Sequence, residues 1–585
     1  MRSDSNFRTA LAFLAMFFLS LATLPAQTPT FTQTIVFGDS LSDDGNVRHV
    51  MEDQYLISYP GGDFNYSDGR FTNSSDTDPS STTYAGTWHE QLARTFLGLA
   101  APLNSLDGGT DYAFGGATTA SGTIDVTVIN NPFPFGGGDF GITVDNLGKQ
   151  VDDYLAGNTP DPDALYILWG GGNDLFNDDS SDNVTQAASN VAGLVQQLAE
   201  AGARSFLVAN VPPIGLVPHY KDDPATATAL NLAAAQFRSE LDTDLDVTVA
   251  TLSGEGITIT LYRLDAYGLL YRVVTNPGEF GFTNVFDSAQ GEDVDPDEYL
   301  FWDDIHPTTA GHYQVAAQAS ALINGTALPA AEALNLSSRL NVGTGDNVLI
   351  GGFIVTGTES KKVILRGLGP SLTSNGVPDP LANPALDLFQ DDTLIMSNDD
   401  WKDSQEAEIE ATGMAPTDDA ESAIVATLAP GSYTAVLRGS DGGTGNGLVE
   451  IYDLDTTVDS TLTNVSTRGF VQTGDNVLIG GFIIGSGETD TVILRAIGPS
   501  LADLGVADPL QDPTLDLYDS NGVVIMSNDN WRDSQETLLQ SSGLTPANDA
   551  ESAIITSLAP GAYTAIVRGS NDTTGVALVE VYNMH

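Results

Sequence analysis

Ser40 follows an apolar, β-branched run, Thr34-Ile35-Val36-Phe37, and is set off from it by Gly38 and Asp39. Such a run reads as a buried strand. A serine just past a central strand lies at the carboxyl edge of the sheet, where open α/β sheets hold their ligands. Ser40 is therefore a candidate nucleophile. A hydroxyl is a weak nucleophile, so it needs a base, and the base needs an orienting carboxylate. Phe301-Trp302-Asp303-Asp304-Ile305-His306-Pro307-Thr308 offers a carboxylate and an imidazole three residues apart, just ahead of a helix. A tetrahedral oxyanion also needs preorganised donors, each worth ~3 kcal/mol in comparable sites. Gly109-Thr110-Asp111-Tyr112-Ala113-Phe114-Gly115-Gly116 ends in two glycines that can bring a backbone N–H close to a ligand. Trp169-Gly170-Gly171-Gly172-Asn173 follows another strand and adds a carboxamide.

The elements that must position these groups alternate along the chain. Strands are expected at Thr34–Phe37, Ala164–Trp169, Ser205–Ala209 and Ile257–Tyr262, and helices at Trp88–Leu97, Asn183–Glu200, Ala225–Leu241 and Thr308–Ile323. Strands alternating with helices imply a parallel sheet covered on both faces. Asn73–Gly86 and Asn130–Gly141 read as surface loops.

Composition narrows the function. The chain has 585 residues and a formal charge of −57, from 78 acidic residues against 21 Lys and Arg. That balance excludes nucleic acid or an anionic membrane as a partner for a basic face. Cysteine is absent, so disulfides, thiolate catalysis and cysteine-held zinc are excluded. Arg2 and Arg8 precede an apolar stretch, Leu11–Leu24, and cleavage after Ala26 would remove residues 1–26 as a signal peptide. Export follows from this, to the medium, the cell surface or the periplasm, with no membrane span left in the mature chain. Of the six histidines only His306 has an aspartate three residues earlier and a proline directly after it. His312 reads as structural, and His89 and His219 as surface groups or supports of the site. Arg70 is expected either to touch substrate or to pair with an acid. No cofactor or metal is called for.

The block Gly38-Asp39-Ser40-Leu41-Ser42-Asp43-Asp44-Gly45-Asn46 resembles the opening motif of the GDSL lipases/esterases of the SGNH hydrolase superfamily, and the three other stretches follow in that family's order. Ser67–Asn73 and Asn210–Gly215 fit as well, and the phospholipase/lecithinase/haemolysin-like branch is the nearest in pattern. The resemblance covers about residues 31–324. It implies a flavodoxin-like three-layer α/β sandwich and an acyl-enzyme mechanism. Carried over by motif, Ser40 is the nucleophile and His306 the general base, oriented by Asp303. Ser40 N–H, Gly116 N–H and the Asn173 carboxamide form the oxyanion hole. Gly115 is the alternative to Gly116, and Asp304 to Asp303, although the family's Asp-x-x-His spacing selects Asp303.

Beyond Ala327-Leu328-Pro329-Ala330 helical periodicity ends. Gly345-Asp346-Asn347-Val348-Leu349-Ile350-Gly351-Gly352-Phe353 returns as Gly474-Asp475-Asn476-Val477-Leu478-Ile479-Gly480-Gly481-Phe482, and Ser397-Asn398-Asp399-Asp400-Trp401 as Ser527-Asn528-Asp529-Asn530-Trp531. The expectation is two tandem β-sandwich repeats, residues 335–455 and 463–585. Trp401 and Trp531 are expected as half-buried sandwich residues. The leading reading of the whole is a secreted lipase, esterase or phospholipase acting on a small-molecule or lipid ester. Its tail would bind a polymer or a cell surface. A carbohydrate O-acetylesterase, and an adhesion protein with a degenerate hydrolase domain, are the competing readings.

Overall fold

The computed structural model describes residues 29–73, 84–128, 140–328, 333–455, 458, 460–474, 476–485, 487 and 489–584. The expected signal peptide lies outside the described residues, as does most of each expected surface loop.

Strands β1 (Thr34–Gly38), β2 (Leu165–Trp169), β3 (Ser205–Ala209) and β4 (Thr260–Leu264) form a parallel sheet in that spatial order. Every residue of β1 and β2 is buried. Burial on both faces is why these strands read as unbroken apolar runs rather than alternating ones. Phe37, Leu168 and Val208 point into one core, and Val36, Ile167 and Leu207 into the other.

Six helices matter for the site: α1 (Asn46–Tyr55), α2 (Leu147–Gly157), α3 (Ser181–Ala201), α4 (Pro224–Gly254), α5 (Ala266–Thr275) and α6 (Thr309–Ile323). Helix α4 starts where expected, with Asp223 accepting the Thr226 N–H and a proline in the first turn. It runs on to Gly254, well past the expected Leu241. The extension carries Leu245 and Leu252 into the core. The expected helix at Trp88–Leu97 is an α-turn, Trp88–Gln91, with a capping box between Thr87 and Glu90, followed by a π-type turn to Phe96. A hairpin, Thr123–Val128 with Phe140–Asp145, was not foreseen.

The C-terminal part is antiparallel β-structure in two eight-stranded sheets. Strands β5 (Ala333–Val342) and β6 (Leu349–Val355) come from the first of the two similar segments, and β7 (Leu462–Val471) and β8 (Leu478–Ile484) from the second. In one sheet β6 pairs with β7, and in the other β5 pairs with β8. Each sheet therefore takes four strands from each segment. The segments are not independent units in series: they join edge to edge, which satisfies backbone groups that open edges would leave bare. Leu349 and Phe353 share one core with Leu478 and Phe482. Trp401 and Trp531 are 5% and 3% exposed, deeper than the expected half-burial. The second segment also packs against the α/β domain, where Leu538, Leu539 and Ile555 join the core that holds Leu269 and Val273.

Candidate active site

Ser40 lies in the turn directly after β1, and its position is fixed from three sides. The Gln150 side chain on α2 accepts the Gly38 N–H and donates to the Gly38 carbonyl, both at 2.9 Å. A Cβ on Gly38 would lie 2.9 Å from the Trp169 carbonyl oxygen, so a side chain there would push the turn off the sheet. Asp39 closes the turn, its carboxylate accepting the Leu41 N–H at 3.0 Å and its carbonyl accepting Ser42 and Asp43. Burial pushes the Asp39 carboxyl up to about 6, against the pull of the Leu41 hydrogen bond and the His306 charge.

His306 Nε2 is 2.8 Å from Ser40 Oγ, and His306 Nδ1 is 2.8 Å from Asp303 Oδ2. The other Asp303 oxygen accepts the backbone N–H groups of Ile305 and His306 at 2.8 and 2.6 Å. Tyr66 donates its hydroxyl to Asp303 Oδ2 at 2.7 Å. Burial raises the Asp303 carboxyl, but the charge and hydrogen bonds of His306, with the Tyr66 hydroxyl, outweigh it and hold the group down at about 2. Phe71 stacks on the His306 ring with centroids 5.1 Å apart. Asp304, the alternative orienting acid, is exposed.

The glycine pair separates cleanly. Gly115 N–H is used, donating to Asp43 Oδ2 at 2.9 Å. Gly116 has φ +86°, and a Cβ there would lie 2.7 Å from Val126 Cγ1. Among the described residues no acceptor takes the N–H of Gly116 or of Ser40. Asn173 Nδ2 donates to the Ala117 carbonyl at 2.9 Å, which leaves its second amide hydrogen available. Ser40, Gly116, Asn173 and His306 all line one cleft of about 420 Å³. The rest of its wall is largely apolar, with Val126, Phe176, Ile214, Leu270 and Phe301 among the lining residues.

Three supports were not read from the sequence: Gln150, Tyr66 and the Asp43 link to Gly115. Gln150 and Tyr66 carry no local signal, since each acts across more than one hundred residues. Of the remaining histidines, His89 is fully buried, and its Nε2 donates to the Ser42 carbonyl at 2.7 Å. Burial pushes its imidazole down to about 4 and that of His312 down to about 3. His312 Nδ1 accepts the Trp88 N–H. Arg70 pairs with Glu90 through two hydrogen bonds of 2.6 Å.

Residues 35–319 match the model of the GDSL-like lipase/acylhydrolase family. Residues 35–319 form a GDSL-like lipase/acylhydrolase domain, the domain of a family of ester-bond hydrolases. A GDSL esterase/lipase of Arabidopsis thaliana is 26% identical over 53% of this chain and 94% of its own length. The esterase EstA of Pseudomonas aeruginosa is 29% identical over 52% of this chain and 49% of its own. The phosphatidylcholine-sterol acyltransferase of Aeromonas hydrophila is 25% identical over 45% of this chain and 67% of its own. This chain thus spans only about half of the Pseudomonas relative.

Proposed function

We propose that the protein is a secreted serine carboxylic-ester hydrolase that accepts esters with medium or long apolar acyl chains. The observation that carries this reading is the Ser40–His306 hydrogen bond at the mouth of an apolar cleft. His306 takes the Ser40 proton as Oγ attacks the ester carbonyl. The oxyanion is held by the N–H groups of Ser40 and Gly116 and by the Asn173 carboxamide. Collapse returns the proton to the leaving alcohol and forms an acyl-enzyme, which water activated by His306 then hydrolyses. Asp303 keeps the proton on Nδ1, so that Nε2 is free to accept.

The apolar lining favours a lipid or fatty acyl group over a carbohydrate O-acetyl group, which would need only a small pocket and polar contacts to sugar hydroxyls. The intact Ser40–His306–Asp303 spacing speaks against an adhesion protein with a decayed site. In this reading residues 31–324 form the hydrolase, residues 335–455 and 463–585 are the two halves of one joined β-sandwich, and residues 1–26 direct export. The test is a nitrophenyl-ester series from acetate to dodecanoate, run beside acetylated glycans, with a fluorophosphonate probe. Labelling at Ser40 and a preference for the longer esters are expected. No labelling, or release from the glycans alone, would overturn the proposal.

A further inference from the structure

One wall of the cleft is made by the stretch from Val211 to Val217 and by α5, which contributes Leu269, Leu270 and Val273. Both elements are backed by the second C-terminal segment. Asn231 on α4 is 2% exposed and joins the two parts of the molecule. Its Oδ1 accepts the Gly215 N–H at 2.7 Å, and its Nδ2 donates to the Ser541 carbonyl at 2.8 Å. Thr228 donates to the Gln540 carbonyl at 2.6 Å. At the end of α5 the hydroxyls of Thr275 and Ser557 are 2.5 Å apart. Between these polar contacts Leu538, Leu539 and Ile555 share a core with Leu269 and Val273.

The first segment provides an internal comparison. Ser397–Trp401 aligns with Ser527–Trp531, so Glu408 corresponds to Leu538, Glu410 to Gln540, Ala411 to Ser541 and Thr427 to Ser557. In the first segment all four positions are exposed. Glu408 there forms a surface ion pair with Lys362 at 2.9 Å. In the second segment Leu538, Ser541 and Ser557 are buried. Both segments form the same set of strands and the same short helix, Glu406–Ala411 and Glu536–Ser541. Leucine at 538 is therefore not required by the fold of the segment. It serves the contact with the α/β domain.

We propose that the second segment is a working part of the acyl site: by docking behind Val211–Val217 and α5 it sets the position of that wall, and so the acyl length the cleft accepts. The inference rests on reading the cleft as the acyl site. Leu538, Asn231 and Ser557 act as positioning residues, because none of them lines the cleft.

The test uses the full-length chain. Leu538→Glu places in the second segment the residue that the first already carries, and it buries a carboxylate against the α/β domain. Against nitrophenyl dodecanoate, KM should rise about tenfold, while kcat on nitrophenyl acetate stays within about twofold, since only ground-state and transition-state binding of the chain is lost. Leu538→Met should restore the wild-type values, and Glu408→Leu in the first segment should change neither. Should Leu538→Glu fail to fold, Ser557→Ala removes the hydroxyl contact without adding charge, and the same split is read on it. An equal loss on both esters, or no change on either, would overturn the inference. A wild-type enzyme that makes no distinction between the two esters would instead overturn the acyl-site reading itself.

Discussion

The Asp43 carboxylate accepts the Gly115 N–H at 2.9 Å, 72 residues along the chain. The same carboxylate accepts the N–H groups of Gly45, Asn46 and Val47 at the start of α1. One fully buried side chain therefore ties the serine turn to the loop that carries Gly116. Asp43→Asn keeps the shape and removes half of the acceptor capacity. The expected result is a fall in kcat of about 10²-fold with little change in KM, as for loss of an aligned oxyanion donor. Steady-state kinetics on a short ester reads this directly.

Ser40→Ala and His306→Ala are each expected to lower kcat by at least about 10⁴-fold. The double variant should be no slower than the worse single one, because the two groups act as a unit. A double variant slower by the product of the single effects would show that they act independently.

Tyr66→Phe removes the hydroxyl that Asp303 Oδ2 accepts at 2.7 Å. Asp303 keeps its bonds to His306 and Ile305. The loss of one hydrogen bond of about 1 kcal/mol corresponds to about a fivefold fall in kcat. The remaining aromatic contacts of the ring with Tyr59 and Phe71 should keep the melting temperature close to wild type.

Glu90 is 3% exposed and holds Arg70 through two short hydrogen bonds. Glu90→Gln leaves the guanidinium facing a neutral partner in a buried setting. Breaking one side of such a pair costs about 3 kcal/mol. Denaturant unfolding should show that loss, with kcat on esters retained in the folded fraction.

The buried carboxyls give stability a defined pH profile. Burial lifts Asp39 and Asp43 from 3.8 to about 6, so between those values the folded state binds more protons than the unfolded one. Their contribution to stability should therefore fall as pH rises from about 4 to about 6. Asp303 has the opposite sign: it is held at about 2, and its contribution is present above 3.8 and lost as pH falls toward 2. His89 and His312, held down at about 4 and about 3, act against Asp39 and Asp43 between about pH 4 and 6.5, so the Asp39 share is read as a difference between variants. In thermal melts from pH 2 to pH 8, Asp39→Asn should gain on wild type as pH rises from about 4 to about 6, and a constant difference would count against Asp39.

What was legible from the sequence was local. Ser40 sits one turn beyond a strand, and Asp303 and His306 share a loop, so short motifs carry their relationship. Both core strands could be read because burial on two faces leaves uninterrupted apolar residues. Gln150 and Tyr66 were hidden because their partners lie 112 and 237 residues away, and a glutamine or tyrosine gives no local hint of what it will meet. The hairpin at Thr123–Val128 was missed because Thr123, Asp125 and Thr127 are exposed and Ile124 and Val126 are only partly buried, which leaves a weak alternating signal. The exchange of sheets between the two C-terminal segments was invisible for a different reason. Similar sequences predict similar units, but say nothing about which free edge each unit presents to its neighbour.

The pairing of β6 with β7 and of β5 with β8 has a consequence for the history of the chain. A single such unit would leave β6 and β5 as open edges, one in each sheet, and a second identical copy would cover both through a twofold axis. The present tail has the form of a homodimer whose subunits have been fused. Fusion makes the association unimolecular and fixes one copy of each surface per molecule. Two covalently distinct copies can differ at matching positions: Leu538 is buried against the α/β domain, while Glu408 is exposed to solvent.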